Sequence, residues 1–420
     1  MLRPTTIIAI ALAVALAGCG DDEPQKRDAN GPLTIGVLAP FSGPIAQFGR
    51  NALAGCEAGV RAVNEQGVLG HKLTCRSFDT GGNPATALPA ANELVQSADD
   101  VVMVIGPSDE APATAPIVTS SGIPNFITAG NSRFDVNREP YLFRLTPSDT
   151  DLGAALGHFG FRAGSRAAAV FTNDLGAQTT VAPLRAAYKA RERSLAADIT
   201  VRLAQRSYRR EVARLVEANP DVIITELDAA TAGVFFKDLR RAVRTLPPIL
   251  TTSRSNNPKW IGTMENAIGV AAVRRLVKFV GVGMAIGEPA HTEYSELLEH
   301  IDPQLGDPEQ YVKQPWAMAD YDAVIVTALA MSRAKSAEPS EYRRHIREVT
   351  GDARGKAVQT YAEGLAALAK GRAIRYVGAS GSLTFDENQS VRRGFTLLEH
   401  DRASGALAVA AAVEPDELAR

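Results

Sequence analysis

Thr34-Ile35-Gly36-Val37-Leu38-Ala39-Pro40-Phe41-Ser42-Gly43-Pro44 is the stretch that decides the fold. Thr34 to Ala39 carries no charge and reads as a strand buried on both faces; Pro40 and Ser42-Gly43-Pro44 then turn the chain tightly. Asn51 to Glu65 follows with apolar residues at Leu53, Cys56, Val60 and Val63, a spacing that predicts an amphipathic helix. The same alternation continues outward. Leu73 to Phe78 reads as a strand, Ala85 to Gln96 as a helix, Val101 to Ile105 as a strand, Ala111 to Ser120 as a helix and Asn125 to Thr128 as a strand. It restarts at Ala167 to Phe171, with helices at Val181 to Ala190, Tyr208 to Ala218 and Ala232 to Val243 between strands at Ile199 to Leu203, Val222 to Thr225 and Ile249 to Thr252. Strands alternating with helices imply parallel sheets covered on both faces, so the fold class is α/β with two doubly wound, Rossmann-like lobes. In such sheets ligands bind beyond the carboxyl ends of the strands. That directs attention to the loops at 40–49, 106–110, 128–132, 172–178, 226–230 and 252–257.

The chain has 420 residues, too many for one compact core. Its net charge of -2, with scattered Lys and Arg, argues against a nucleic-acid partner. There is no Gly-x-Gly-x-x-Gly after a strand and no phosphate-loop pattern. Gly378-Ala379-Ser380-Gly381-Ser382 lacks the last glycine of a nucleophile elbow, and no histidines fall at metal-ligand spacing. An enzyme, a metal site and a cofactor are therefore not expected.

At the amino end, Leu16-Ala17-Gly18-Cys19 follows Arg3 and the apolar run Ile7 to Ala17, and looks like a bacterial lipoprotein processing site. Eleven apolar residues rise only about 16 Å as a helix, short of a ~30 Å hydrocarbon core. The reading is a signal peptide at residues 1–18, lipidation of Cys19, and a polar tether at 19–32. The body is then expected to be exported, to touch a cell membrane only through the lipid, and to face the periplasm or cell exterior. Cys56 and Cys75 remain, on a helix and a strand that a first βαβ crossover packs together; a disulfide and two buried free thiols are both compatible with that placement.

Four stretches in this order resemble the amino-acid-type substrate-binding proteins of bacterial ABC importers, the group of the leucine/isoleucine/valine-binding protein. They are Ile35 to Pro44 with Phe48-Gly49, Val63 to Leu73, Tyr321-Asp322-Ala323, and Tyr376 to Asp386. The resemblance implies a clamshell of the type I periplasmic-binding fold with three crossings between lobes, expected near Ser148, Val280 and Arg372. The lobes would be 33–148 with 279–371 and 149–278 with 372–410, leaving 411–420 as a tail. It also implies a monomer that captures a small polar solute (an amino acid or related amide or carboxylate) and delivers it to a membrane permease. A clamshell reporting to a separate signalling partner is the alternative. Tyr321-Asp322-Ala323 is read as structural, with Asp322 in the first turn of a helix, complementing its dipole.

By position in that family, the candidate ligand residues are Ser42, Phe48, Glu110, Ala129 and Asn131 in the first lobe and Asp174, Asp228, Ser253 and Arg254 in the second. Glu110 stands where the family has a serine, either repelling a ligand carboxylate or capping the helix end. Arg254 lies beside the place of the family's ammonium-binding acid. Together these departures imply a ligand held in the reversed sense, its cationic or donor end toward Glu110 or Asp228 and its acidic end toward Arg254.

Overall fold

Every residue of strand β1 (Leu33–Ala39) is buried, as an uncharged strand in the middle of a sheet must be. The structure, a computed structural model, describes residues 31–418 apart from 44, 98, 99, 352, 402 and 403; the signal peptide, Cys19 and nearly all of the tether lie outside the described residues. With β2 (Leu73–Asp79), β3 (Val101–Ile105), β4 (Asn125–Ile127) and β5 (Leu142–Arg144), β1 forms a parallel sheet of order β2-β1-β3-β4-β5. Strands β6 (Ala167–Thr172), β7 (Ala197–Val201), β8 (Val222–Glu226), β9 (Ile249–Thr252) and β10 (Val277–Val282) build the second sheet, parallel from β10 through β9, β8 and β6 to β7. A small sheet of β11 (Lys356–Val358), β12 (Ile374–Gly378) and β13 (Gly381–Ser382) belongs to the first lobe, because Val358, Ile374, Tyr376 and Leu383 join the same apolar core as β1. Antiparallel β14 (Phe395–His400) and β15 (Leu407–Val413) then extend the edge of the second sheet.

These memberships place the crossings between β5 and the helix Asp149–Ala163, between β10 and the helix Pro289–Leu298, and between β13 and β14. The third differs from the expected position near Arg372: residues 372–391 pack in the first lobe, and the chain leaves it only at Arg393-Gly394. Residues 411–418 are likewise not a tail. Val413 ends β15, and Leu418 is buried against the second-lobe core. The crossings are tied to one another by backbone hydrogen bonds, Arg144 N–H to the Gln389 carbonyl at 2.9 Å, Val391 N–H to that of Arg144 at 2.9 Å, and Gly283 N–H to that of Gly394 at 3.0 Å. Arg393 adds its guanidinium, donating to the carbonyls of Ser380 (2.6 Å), Ser382 (2.9 Å) and Leu145 (3.3 Å).

The first lobe is organised on the helix Pro315–Ala334, in which every residue from Ala317 to Met331 is buried. Close packing against it requires glycine at 59, where an added Cβ would stand 2.7 Å from the Val324 Cβ. Asp322 is not in the first turn, as expected, but in the middle of this helix, fully buried. It accepts the Tyr376 hydroxyl (2.9 Å) and the N–H groups of Ala379 and Ser380 (2.8 Å each). The two late motifs, Tyr321-Asp322-Ala323 and the segment from Tyr376, are thus the two halves of one buried network. Gly378 is required there because a Cβ would lie 2.1 Å from the Asp322 carboxylate. Cys56 and Cys75 are bridged, joining the helix Ala46–Gln66 to β2 across a separation of 19 residues. A loop of that size contributes about 3 kcal/mol through the unfolded chain. Among the described residues no helix is long and apolar enough to cross a membrane.

Candidate functional site

Both sheets point the carboxyl ends of their strands at a shared cleft, which encloses a cavity of about 130 Å³. The first lobe contributes the loops after β1, β3 and β4 and the start of the helix Pro315–Ala334; the second contributes the loop after β9 and the first turn or so of the helix Leu175–Ala190. Thr146 and Pro147 come from the first crossing and Arg393 from the third, while Asp149, Gly281, Val282 and Phe395 stand on the second-lobe elements that flank the crossings. A cavity walled by two lobes and floored by their connections changes shape when the lobes rotate, which is the geometry of a closing clamshell.

Of the candidate residues, Phe48, Glu110, Ala129, Asn131, Ser253 and Arg254 line this cavity. Ser42, Asp174 and Asp228 do not. Ser42 is exposed in a turn whose N–H donates to Asp79 (3.2 Å). Asp174 caps its helix, accepting from the Ala177 N–H at 3.1 Å, and Asp228 caps the helix Ala229–Ala242, accepting from Ala230 (3.0 Å) and Thr231 (3.2 Å). An aspartate one residue before a helix satisfies N–H groups that the helix itself leaves unpaired, so both are used by their own backbone. Asn131 lines the cavity with its side-chain oxygen taken by the Arg133 N–H (3.0 Å).

Glu110 neither caps its helix nor reaches solvent. Its carboxyl is buried and receives the Thr80 hydroxyl at 3.4 Å. Burial pushes that carboxyl above the usual range, opposed by its own N–H and reinforced by neighbouring Asp109. Arg254 is engaged on two sides. Its guanidinium stands 3.5 Å from buried Glu226 behind it and 3.7 Å from Asp109 on the opposite lobe. Burial acts against its charge, but Glu226 and Asp109 outweigh it and keep the group firmly protonated. Glu226 in turn accepts the Thr252 hydroxyl at 2.9 Å. Gly176 makes this arrangement possible, since a Cβ there would fall 1.9 Å from an Arg254 nitrogen.

Four cavity residues of consequence escaped sequence reading: Trp316, Asp320, Asp149 and Arg393. Phe48 and Trp316 meet edge to face at 5.4 Å and form an aromatic corner. Asp320, 2% exposed, lines the cavity beside them, and its Oδ1 has no hydrogen-bond partner. Desolvation alone drives its carboxyl well above the ordinary range. A signal for it was present: an acid inside an otherwise apolar helix is rare unless paired or used. Asp149 is also raised by burial, against the Thr179 hydroxyl and the Arg254 charge.

A family model described as "Periplasmic binding protein" matches residues 32–364. The Leu/Ile/Val-binding protein homolog 3 of Brucella melitensis is 37% identical over 75 residues, 18% of this chain and 20% of that protein, so the match spans about a fifth of that relative's length. The crystal structure of leucine binding protein LivK from Thermotoga maritima superposes with a TM-score of 0.70 at 20% identity, covering 91% of this chain and 99% of that one. A solute binding protein of an ABC transporter from R. palustris, solved in complex with benzoate, gives 0.69 at 17% identity over 92% of this chain and 97% of that one. These two likenesses establish a shared fold.

Proposed function

The chain belongs to the periplasmic binding protein family, and from that premise we propose that it is the solute-capturing component of an ABC importer, delivering a small polar solute to a membrane permease. The observation that carries this reading is the cavity shared between two lobes whose connecting segments are hydrogen-bonded to one another. A solute touching both walls stabilises the closed form, and a permease that reads closure then distinguishes loaded from empty protein. The Arg254–Asp109 contact spans the cleft and links the two lobes directly. The family is one of binding proteins, so the residues of the cavity are assigned to recognition and not to catalysis.

In this reading Cys19 carries a lipid and residues 19–32 tether a monomeric clamshell at the membrane face, which raises its concentration near the permease. Membrane fractionation of Cys19→Ala tests the anchor: release into the soluble fraction supports it, and unchanged membrane association contradicts it. Capture itself is tested by melting the full chain against panels of amino acids, amides, carboxylates and amines. A ligand of the folded form raises the midpoint by mass action; silence across all four panels contradicts the reading.

A further inference from the structure

The charges around the cavity do not match an anionic solute. Among the described residues lining it are four carboxyl groups, Asp109, Glu110, Asp149 and Asp320, against two guanidiniums, Arg254 and Arg393. Both guanidiniums already face groups of the protein. Arg254 faces Glu226 and Asp109, while Arg393 donates to three carbonyls and is held by Asp322 against a burial that lowers it to about 10. A ligand carboxylate entering here would compete with Glu226 and Asp109 for Arg254 and would have Glu110 and Asp320 as neighbours.

The unfilled valence is on the acid side. Asp320 is nine-tenths buried and more, its Oδ1 is unpartnered, and it lies beside the Phe48–Trp316 corner. A buried acid without a partner costs free energy in the empty protein, and a donor brought by the ligand removes that cost. Aromatic faces beside a carboxylate suit one chemistry in particular, an alkyl- or arylammonium, whose charge pairs with the acid and whose body packs on the rings.

We propose that the solute is an amine: its ammonium group binds Asp320, its apolar portion packs against Phe48 and Trp316, and Glu110 adds negative potential. This rests on the solute-capture reading and names the class of solute. It modifies the reversed ligand expected from sequence, with Asp320 in place of Asp228 as the cationic pole and Arg254 serving the lobe-to-lobe contact.

The test is calorimetric titration of the full chain with two matched pairs, benzylamine against benzoate and butylamine against butyrate, on wild type and Asp320→Asn. Amines are expected to bind at least tenfold more tightly than their matched carboxylates, and Asp320→Asn to lose tenfold or more of amine affinity. The Asn amide still donates a hydrogen bond, so a site in which neutral Asp320 serves an acceptor would keep its ligand in this variant. Trp316→Leu is the second variant, expected to weaken benzylamine severalfold while leaving the fold intact. Preference for either carboxylate, equal binding of both classes, or full amine affinity in Asp320→Asn overturns the proposal; carboxylate binding would do so while leaving solute capture standing. Absence of heat with all four probes contradicts the amine class, and silence of the wider melting panels contradicts capture itself.

Discussion

Asp322 receives a tyrosine hydroxyl and two backbone N–H groups, whereas Asp320, two residues earlier on the same helix and equally shut off from water, has an oxygen that receives nothing. The difference lies in what each side of the helix faces. Asp322 looks into the turn between β12 and β13, which is shaped around it, and Asp320 looks into the cavity. One acid is part of the fold and the other is left for something outside it. Functional sites are where local rules of satisfaction are broken, and the cost is met elsewhere in the structure.

Breaking the satisfied side should have the larger effect. Asp322→Ala leaves Tyr376, Ala379 and Ser380 without their acceptor and should remove about 3–5 kcal/mol of stability, read as a lower urea midpoint. Next comes Arg254→Met, which strips buried Glu226 of its counter-charge and cuts the contact to Asp109. Because the Arg254 side chain is 32% exposed, solvent screening limits the loss to about 2 kcal/mol. Small-angle scattering of the empty variant should also show a larger radius of gyration, as the lobes lose a link.

Asp320→Asn should go the other way, stabilising the empty protein by about 1 kcal/mol near neutral pH, since it removes a buried ionisable group without a partner. The pH dependence follows from the raised folded-state value. The folded protein holds the Asp320 proton more tightly than the unfolded chain, so its contribution is fully present below the ordinary value of 3.8 and is lost as pH rises through the folded value. Tyr294 is the ionisable neighbour that feels Asp320, and burial with that carboxylate keeps its phenol protonated, so the pH dependence follows Asp320 itself. The advantage of Asn over wild type should therefore grow with pH, checked by urea midpoints between pH 4 and pH 8. The smallest effect belongs to Asp228→Ala, the loss of one helix cap, about 1 kcal/mol with ligand affinity unchanged.

Much of the fold was legible because β1, β3, β6 and β9 are fully buried and read as uncharged runs; Val101 to Ile105 and Ile249 to Thr252 carry the same bounds in sequence and structure. The antiparallel pair β14 and β15 was not legible, since edge strands face water on one side and Leu407 to Val413 is largely exposed. In the site, residues on loops at strand ends were found because topology directs ligands there. Those on the crossings and on the helix Pro315–Ala334 were missed, because they arrive from distant parts of the chain. Asp174 and Asp228 lie at helix ends outside the cavity lining for a single reason: an acid just before a helix serves the helix first.

The measurement closest to the central claim is the melting temperature of wild type and Asp320→Asn side by side at pH 8, with and without saturating benzylamine. Wild type should melt lower when empty and rise with the amine, while the Asn variant should start higher and rise by clearly less. An Asn variant that starts lower, or that rises with benzylamine as wild type does, would contradict the assignment of Asp320 to the ligand.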